Sequence, residues 1–260
     1  MKPTVVKLGG STLGSHDTTL EDLITLQKKR IPVVVVHGGG AVGTEWLTRL
    51  GIPTKFVRGL RVTDAETLKV IVATLAGLVN KELVAAIEAH GGHAIGLSGI
   101  DGGLLQARIK NADLGYVGEV AKVDLTLLTA VLRVNYIPVI APLSLQSPAE
   151  SEEAGFMLNI NGDTAAGELA AALRAEKLIF LTDVVGICDK AGKLIPILSA
   201  EEAKGLIASG VASGGMIPKI EACLRALSTV PSTRIIDGRV PHALLQEVEG
   251  GGDGTTIVAK

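Results

Sequence analysis

Aromatic side chains are scarce in this chain, and cysteine is rarer still. Only 2% of the 260 residues are aromatic, and the only cysteines are Cys188 and Cys223. These two stand far apart with no paired spacing, which predicts buried thiols rather than a disulfide framework or a zinc site. His90 and His93 flank two glycines without a further ligand cluster, so we predict no metal-ligating residues.

Two other features are absent: an excess of charge of one sign and a long apolar run. The 25 basic and 27 acidic residues give a formal net charge of −2, which excludes a basic field for nucleic acid or an anionic membrane. No stretch approaches about 18 uninterrupted apolar residues. The first residues, MKPTVVKLGG, lack the apolar region of a signal peptide. We therefore expect a cytoplasmic protein with no nucleic-acid or membrane partner.

Apolar residues and glycines, in contrast, are abundant. With 47% hydrophobic residues and 32 glycines, the chain has a length that suits one large α/β domain or two lobes of roughly 100–150 residues each. Strand and helix patterns alternate along most of the sequence, including a third buried strand predicted at 93–98. A shorter pattern between residues 104 and 123 predicts an antiparallel hairpin.

The stretch Ile31–Gly43, IPVVVVHGGGAVG, joins a run of valines to three glycines and a helical pattern. Four valines without alternation predict a strand that is buried on both faces. The glycine turn and the start of the next helix bring free N–H groups and the positive end of a helix dipole together, which is an arrangement that binds anions. The spacing of Gly38, Gly40 and Gly43 also fits a dinucleotide fingerprint, so this stretch alone allows several functions.

The first predicted strand has the same arrangement. Thr4–Leu8 is a β-branched run that leads into Gly9 and Gly10, with Lys7 close to the turn. Ligands of open α/β sheets bind at the carboxyl ends of the strands, so we expect the two glycine turns to face one crevice. Lys7 is then either a phosphate contact or an exposed lysine at a strand end.

Arg61 stands just before a predicted capping box, Thr63–Glu66, which opens a long helix that ends at Gly91–Gly92. Its guanidinium fork and the helix amides are suited to holding a carboxylate, and a surface salt bridge is the alternative. A dinucleotide fold would need an acidic residue at the end of a second strand. The residue at that distance, Asp64, lies inside the helix cap instead, which disfavours dinucleotide binding.

Polar residues also precede two later helices. Asn159, Asn161 and Asp163 alternate with apolar residues ahead of a helix predicted at 164–176, and capping needs only one of the three. They are therefore expected to point into a common crevice. Lys219 lies in the first turn of another helix, where a lysine opposes the helix dipole unless an anion is nearby. Such a broken local rule is typical of a functional site.

Together these turns resemble the amino acid kinase family, and the chain contains no Walker sequence Gly-x-x-x-x-Gly-Lys-Ser/Thr. The resemblance extends through essentially the whole chain and is closest to the members that act on N-acetyl-L-glutamate. The matching segments are KLGG at 7–10, VHGGG at 36–40, GLRVTDAET at 59–67, VNKELV at 79–84, GLSGIDG at 96–102, LGYVGEV at 114–120, LNINGDTAAGELA at 158–170, LTDVVGI at 181–187, GGMIPK at 214–219 and IIDGRVPHALL at 235–245.

The resemblance implies an α/β protein, a three-layer αβα sandwich with a mainly parallel central sheet and two lobes. Residues 1–175 would bind the amino acid and form a homodimer, and residues 176–260 would bind ATP. The implied reaction is ATP- and Mg²⁺-dependent phosphorylation of the side-chain carboxylate of N-acetyl-L-glutamate, the second step of arginine biosynthesis. With a pKa of about 4.3, that carboxylate is already ionised at neutral pH and needs no general base.

The family's motifs also assign site residues to this chain. Lys7 and Lys219 would contact the transferring phosphoryl group, and Asp163 would hold both lysines in position. The amino-acid substrate would be bound by Gly39, Gly40, Arg61 and Asn159. The nucleotide would be bound by Gly9, Gly10, Asp183, Gly186, Val211 and Ser213.

Two departures from the family pattern and three alternatives remain. Gly162 stands where the family usually has alanine, and the first strand begins at Thr4, without the N-terminal helix of arginine-inhibited hexamers. We therefore expect a homodimer that is insensitive to arginine. The alternatives are an aminoadipate kinase of lysine synthesis that acts on a carrier-protein-bound substrate, a nicotinamide-dependent dehydrogenase, and a non-catalytic ligand sensor.

Overall fold

A mainly parallel eight-stranded sheet forms the centre of the protein. The computed structural model describes residues 2–9, 18–57, 59–147 and 156–260. The strands of the sheet are β1 (Thr4–Leu8), β2 (Val33–His37), β5 (Ala94–Ser98), β8 (Ile137–Ala141), β11 (Lys177–Thr182), β12 (Ile197–Ser199), β13 (Ser232–Asp237) and β14 (Thr255–Val258). Their order is β12-β14-β13-β11-β1-β2-β8-β5, and only the β13–β14 pair is antiparallel.

The valine run forms a strand buried on both faces, as predicted. Every residue of β2 is buried. Because successive side chains point to opposite faces of a sheet, Val34 and Val36 pack into one hydrophobic core while Val33 and Val35 pack into the other. An unbroken apolar run suits this position because neither face meets water.

Helices cover both faces of the sheet. They are α1 (Thr19–Lys28), α2 (Gly40–Arg49), α3 (Ala65–Val72), α4 (Asn80–Ala89), α5 (Thr126–Arg133), α6 (Gly162–Leu173), α7 (Ala200–Ala208), α8 (Met216–Ala226) and α9 (Ala243–Val248). Side chains of α5, α6, α7 and α8 enter one core, and side chains of α1, α4 and α9 enter the other. The predicted three-layer αβα architecture is therefore confirmed.

A second sheet and a short hairpin flank the central sheet. The second sheet consists of β6 (Leu105–Ile109), β7 (Gly118–Val123), β9 (Leu143–Gln146) and β10 (Met157–Asn159), in the order β10-β9-β6-β7. The predicted hairpin is its antiparallel β6–β7 pair. The short hairpin joins β3 (Phe56–Val57) to β4 (Leu60–Arg61).

The strand at 93–98 differs from its prediction as a buried strand. β5 lies at the edge of the central sheet, and only Ala94 and Ser98 of its residues are buried. The apolar residues of a five-residue strand do not indicate whether the strand is central or at the sheet edge, because the order of the strands is set by the whole topology.

The predicted capping box at Thr63–Glu66 is wrong by one residue. Asp64 is the N-cap of α3, and its carboxylate accepts a hydrogen bond from the backbone N–H of Thr67 at 2.8 Å. The backbone of Thr63 is already engaged, because its N–H donates to Leu114 and its carbonyl accepts from Tyr116. Asp64 therefore occupies the N-cap position, for which aspartate is an equally suitable residue type.

α3 and α4 form one continuous helix, Ala65–Ala89, through a π-helical segment, Ala73–Val79. Within the ranges that the structure describes, this is the single helix long and apolar enough to cross a membrane by length and composition. Core helices pass the same test, and Ile71 and Ile87 of this helix are buried in the protein.

Candidate active site

A cavity of about 190 Å³ opens at the carboxyl ends of β1 and β2, where the sequence predicted a crevice. Its polar lining comes from Lys7, Gly38, Gly39, Gly40, Gly59, Arg61, Asn159, Asn161, Gly162 and Asp163. Its apolar lining comes from Phe56, Leu60, Ile71, Leu75, Val117, Pro142 and Ile160. The cavity is therefore suited to a small molecule that carries both anionic and apolar groups.

A carboxylate bound to two lysines lies at one end of this cavity. Asp163 is only 5% exposed, and its Oδ1 lies 2.7 Å from Nζ of Lys7. Its Oδ2 accepts a hydrogen bond from Nζ of Lys219 at 3.2 Å. Two ammonium groups share one carboxylate, so the cluster keeps one net positive charge. A buried charge of this sign attracts an anion, because water cannot screen it fully.

The local fold places Asp163 where the two lysines meet. Asn161 caps α6, and its side-chain oxygen accepts hydrogen bonds from the N–H groups of Asp163 at 2.9 Å and Thr164 at 3.1 Å. Asn161 is thus the capping residue among the three polar residues, while all three line the cavity. The N-terminus of α6 adds its positive partial charge to that of the lysines.

The glycine turn after β2 contributes a second helix N-terminus. α2 begins at Gly40, and Gly39 caps it with a φ of 142°. A Cβ at Gly39 would lie 2.6 Å from Leu75 Cδ2, so both the backbone conformation and the space require glycine. The predicted glycine turn and helix start are therefore formed, and they line the same cavity as Asp163.

Arg61 is held rigidly while part of its guanidinium remains unpaired. Its Nη2 donates to the Gly40 carbonyl at 2.9 Å and to the Thr44 hydroxyl at 2.8 Å. Its Cζ lies 4.6 Å from the centre of the Phe56 ring. Nη1 is buried with no hydrogen-bond partner among the described residues. Burial lowers the pKa of Arg61. The guanidinium is nevertheless protonated at neutral pH.

An unpaired buried donor costs about 1–3 kcal/mol, and an anionic ligand in the cavity would remove that cost.

Asn159 is linked to Arg61 by two hydrogen bonds through Thr63. The Asn159 amide donates to the Thr63 hydroxyl at 3.1 Å, and that hydroxyl donates to the Arg61 carbonyl at 2.9 Å. The surface salt bridge considered for Arg61 is wrong, because the guanidinium is buried and lines the cavity.

The predicted nucleotide-binding residues lie outside this cavity. Asp183 follows β11 and is exposed, while Val211 and Ser213 lie between α7 and α8, the helix that carries Lys219. Gly186 is buried at a φ of 142°, and a Cβ there would lie 2.7 Å from Thr255 Oγ1. The structure thus brings the lysines and the amino-acid set together, and it keeps these four residues on the part of the chain that follows β11.

The glycines predicted after β1 have different outcomes. The N–H of Gly9 donates to the Leu181 carbonyl at 3.0 Å, so this turn lies beside the end of β11. Gly10 lies outside the described residues. Gly59, which precedes β4, approaches the loop before α8, where a Cβ at Gly59 would lie 3.7 Å from the Gly214 carbonyl oxygen.

Sequence reasoning missed Phe56 and Thr44, both of which fix Arg61. Phe56 lies in a two-residue strand, which is too short to show any periodicity. Gly59 is the local signal that could have indicated a hairpin here. That hairpin pairs Phe56 with Arg61. Thr44 lies one helical turn after Gly40. No local sequence pattern indicates that its hydroxyl contacts Arg61, because that contact depends on the fold.

The fold and the cavity together define a class of protein: an α/β protein with two lysines and two helix N-termini at a small cavity. A sequence model of the amino acid kinase family matches residues 2–237. The chain belongs to the amino acid kinase family. This membership excludes the nicotinamide-dependent dehydrogenase, which depended on the glycine spacing alone.

Curated relatives cover nearly the whole chain. An acetylglutamate kinase of Dehalococcoides mccartyi strain BAV1 is 46% identical over 256 residues, which are 98% of this chain and 94% of the relative. An acetylglutamate kinase of Rhodopseudomonas palustris strain TIE-1 is 45% identical over 271 aligned residues, covering 97% of this chain and 89% of the relative.

A solved structure shares the fold closely. The N-acetylglutamate synthase of Neisseria gonorrhoeae, solved with coenzyme A and N-acetyl-glutamate, aligns with a TM-score of 0.83 at 29% identity. That alignment covers 100% of this chain and 60% of the synthase chain.

Proposed function

We propose that this chain catalyses the ATP-dependent phosphorylation of the side-chain carboxylate of N-acetyl-L-glutamate, as part of arginine biosynthesis. The observation that carries the proposal is the buried cluster in which Lys7 and Lys219 both contact Asp163, next to a cavity with an unpaired Arg61 Nη1. The carrier-bound aminoadipate alternative is not favoured, since the curated relatives described above are acetylglutamate kinases.

The two ends of the cavity suit the two carboxylates of the substrate. The carboxylate that reacts must lie beside the lysines, which leaves the other carboxylate for Arg61 and Asn159. The apolar walls, including Leu60 and Val117, would receive the acyl group. The unacylated amino acid carries an ammonium group instead, and burying an unpaired charge against apolar walls is costly. The site should therefore discriminate against free glutamate.

The chemistry needs positive charge more than it needs a base. The attacking carboxylate is ionised at neutral pH, so the main obstacle is its repulsion by the phosphates of ATP. Lys7, Lys219 and the N-termini of α2 and α6 would offset that repulsion and stabilise the charge on the transferring phosphoryl group. Asp163 keeps both ammonium groups at this point, and it is not a candidate base because it is already ion-paired.

Nucleotide binding is proposed for the part of the chain that follows β11. In this proposal residues 176–260 form the ATP lobe, with Asp183, Gly186, Val211 and Ser213 around the nucleotide, and residues 1–175 form the amino-acid lobe. Mg²⁺ favours phosphate oxygens and water over an all-protein cage, so we propose that it enters bound to ATP. The ion would supply further positive charge to the phosphates.

A homodimer is proposed from one exposed apolar surface. Only 39% of the most apolar part of the helix Ala65–Ala89 is buried. Beside it, Trp46 is 39% exposed and Leu50 58% exposed, and both line a groove with Ala73. β5 is the last strand of the central sheet, and a sheet edge favours pairing with another chain. Light scattering should give a dimer for the wild type and a monomer for Ala73→Glu, and a monomeric wild type would contradict the proposal.

The function is tested by incubating the protein with ATP, Mg²⁺ and hydroxylamine, which traps an acyl phosphate as a hydroxamate. N-acetyl-L-glutamate, free glutamate, aspartate and aminoadipate are compared in parallel. The expected result is a hydroxamate with N-acetyl-L-glutamate only. Folded protein that binds ATP and forms no hydroxamate with any of them would overturn the proposed reaction and favour the sensor.

The enzyme would work in the cytoplasm, where ATP is available.

A further inference from the structure

A buried histidine with no part in the proposed chemistry lies directly before the glycine turn. His37 is the last residue of β2 and is 1% exposed. Its Nδ1 lies 2.6 Å from the Gly38 carbonyl oxygen, and its Nε2 lies 3.2 Å from Asn80 Nδ2. Because a carbonyl only accepts hydrogen bonds, Nδ1 must carry the ring hydrogen and Nε2 must accept from Asn80. One neutral tautomer satisfies both contacts.

The orientation of the Asn80 amide is fixed by its other partners. Its Nδ2 donates one hydrogen to the Val139 carbonyl at 2.9 Å, and the Leu97 carbonyl and His37 Nε2, each at 3.2 Å, share the second. Its Oδ1 accepts from Lys81 Nζ at 3.1 Å. Reversing the amide would place its oxygen against two carbonyl oxygens. Gly96 leaves the space for this arrangement, since a Cβ there would lie 2.0 Å from Asn80 Oδ1.

The contact to Gly38 determines where the next N–H group points. The C=O and N–H of a planar trans peptide point in opposite directions. Because the Gly38 carbonyl is turned toward the imidazole ring, the N–H of Gly39 is turned away from it. Gly39 lines the cavity that also contains Lys7 and Asp163. The histidine is thus connected to the cavity through a single peptide plane.

We propose that His37, held by Asn80, is a positioning residue that aims the N–H of Gly39 at the reacting anion. The proposal rests on the proposed function, because it takes the anion in the cavity to be the substrate or the transferring phosphoryl group. A preorganised N–H donor contributes to catalysis because it requires no reorientation during the reaction.

The surroundings of His37 keep the ring neutral, as the contacts require. Burial lowers the pKa of His37 from 6.5 to about 4; the hydrogen bond to the Gly38 carbonyl opposes this effect, and the ammonium groups of Lys7 on β1 and Lys81 on α4 add smaller decreases. A protonated ring would place an N–H group against the Asn80 amide hydrogens, so the neutral form preserves the connection over the whole neutral pH range.

The first arm of the test is spectroscopic and does not depend on activity. ¹⁵N–¹H spectra of the imidazole rings in the wild-type protein should show His37 with a protonated Nδ1 and a bare Nε2. The ring should not titrate between about pH 5.5 and about pH 8, since its pKa lies below that window. A protonated Nε2, or titration near the ordinary histidine pKa, would overturn the proposal.

The second arm compares two substitutions that each keep one half of the imidazole. His37→Asn retains an amide nitrogen close to the position of Nδ1, so it should retain the Gly38 contact and a kcat within about fivefold of wild type. His37→Gln retains a polar group near Nε2 and loses the Gly38 contact. It should lower kcat by about 50-fold or more, since removing one oxyanion donor costs about 100–1,000-fold, with a smaller change in KM for N-acetyl-L-glutamate.

The two arms separate failure of this proposal from failure of the proposed function. Equal kcat values for the two variants, with the wild type active, would overturn the positioning role alone. An inactive wild type would overturn the proposed function, while the imidazole spectra would still decide the tautomer. If one variant does not fold, as judged by its thermal melt, the other decides: a kcat of His37→Asn lowered by about 50-fold or more, or a kcat of His37→Gln within about fivefold of wild type, would overturn the proposal.

Discussion

Replacing Arg61 by lysine should weaken binding of the amino acid with little effect on the chemical step. The substitution keeps the charge and removes the planar fork that bonds Gly40 and Thr44 while leaving Nη1 for a ligand. A hydrogen bond to a charged group contributes about 1.5–3 kcal/mol, and about 1.4 kcal/mol corresponds to a factor of ten. The KM for N-acetyl-L-glutamate should therefore rise by about 10- to 100-fold, with kcat within about threefold of wild type.

The assay is steady-state hydroxamate formation at saturating ATP and Mg²⁺, with the concentration of N-acetyl-L-glutamate varied. Arg49→Lys is the matched control, since this side chain is 63% exposed and its ion pair with Glu45 lies on the surface. Its KM should remain at the wild-type value. A KM for Arg61→Lys equal to that of the control would refute the carboxylate role of Arg61 and the reasoning from its unpaired nitrogen.

Two further predictions concern stability. Glu247 is 3% exposed, and its carboxylate pairs with Lys177 at 2.9 Å and Arg234 at 2.7 Å. Glu247→Gln should therefore lower the free energy of unfolding by about 3–5 kcal/mol. A loss below about 1 kcal/mol in urea denaturation would contradict this prediction. His242 donates to the buried Asp22, which raises the pKa of His242 above 6.5. The protonated form is thus favoured on folding, and its stabilisation is present below pH 6.5 and lost as the pH rises through the raised pKa. His242→Gln should therefore destabilise the protein more at about pH 5.5 than at about pH 9, and equal losses would be inconsistent with this linkage.

The sequence predicted the buried strands and glycine turns because their causes are local. A valine run such as that of β2 has few other places in a fold, and glycines that follow a strand indicate a turn with free amides. Such signals lie within a few residues of one another. They were sufficient for the alternation of strands and helices and for the turn after β2 that lines the cavity, whereas the three-layer architecture was implied by the resemblance to the family.

What the sequence could not provide is set by contacts between distant residues. Lys219 and Asp163 are 56 positions apart, and only the packing of α6 on α8 brings them together. The edge position of β5 follows from the order of all eight strands. Stacking of Phe56 on Arg61 depends on a hairpin with two residues in each strand. The family motifs indicated which residues matter, and the fold gives their geometry.

The most direct test of the account is to follow the reaction of ATP, Mg²⁺ and N-acetyl-L-glutamate by ³¹P NMR. Wild-type protein and Lys219→Met are compared, with Lys122→Met as a control at an exposed lysine. We expect an acyl phosphate resonance that appears with the wild type and the control, and about 100-fold more slowly with Lys219→Met. No acyl phosphate with the wild type, or equal rates for all three proteins, would contradict it.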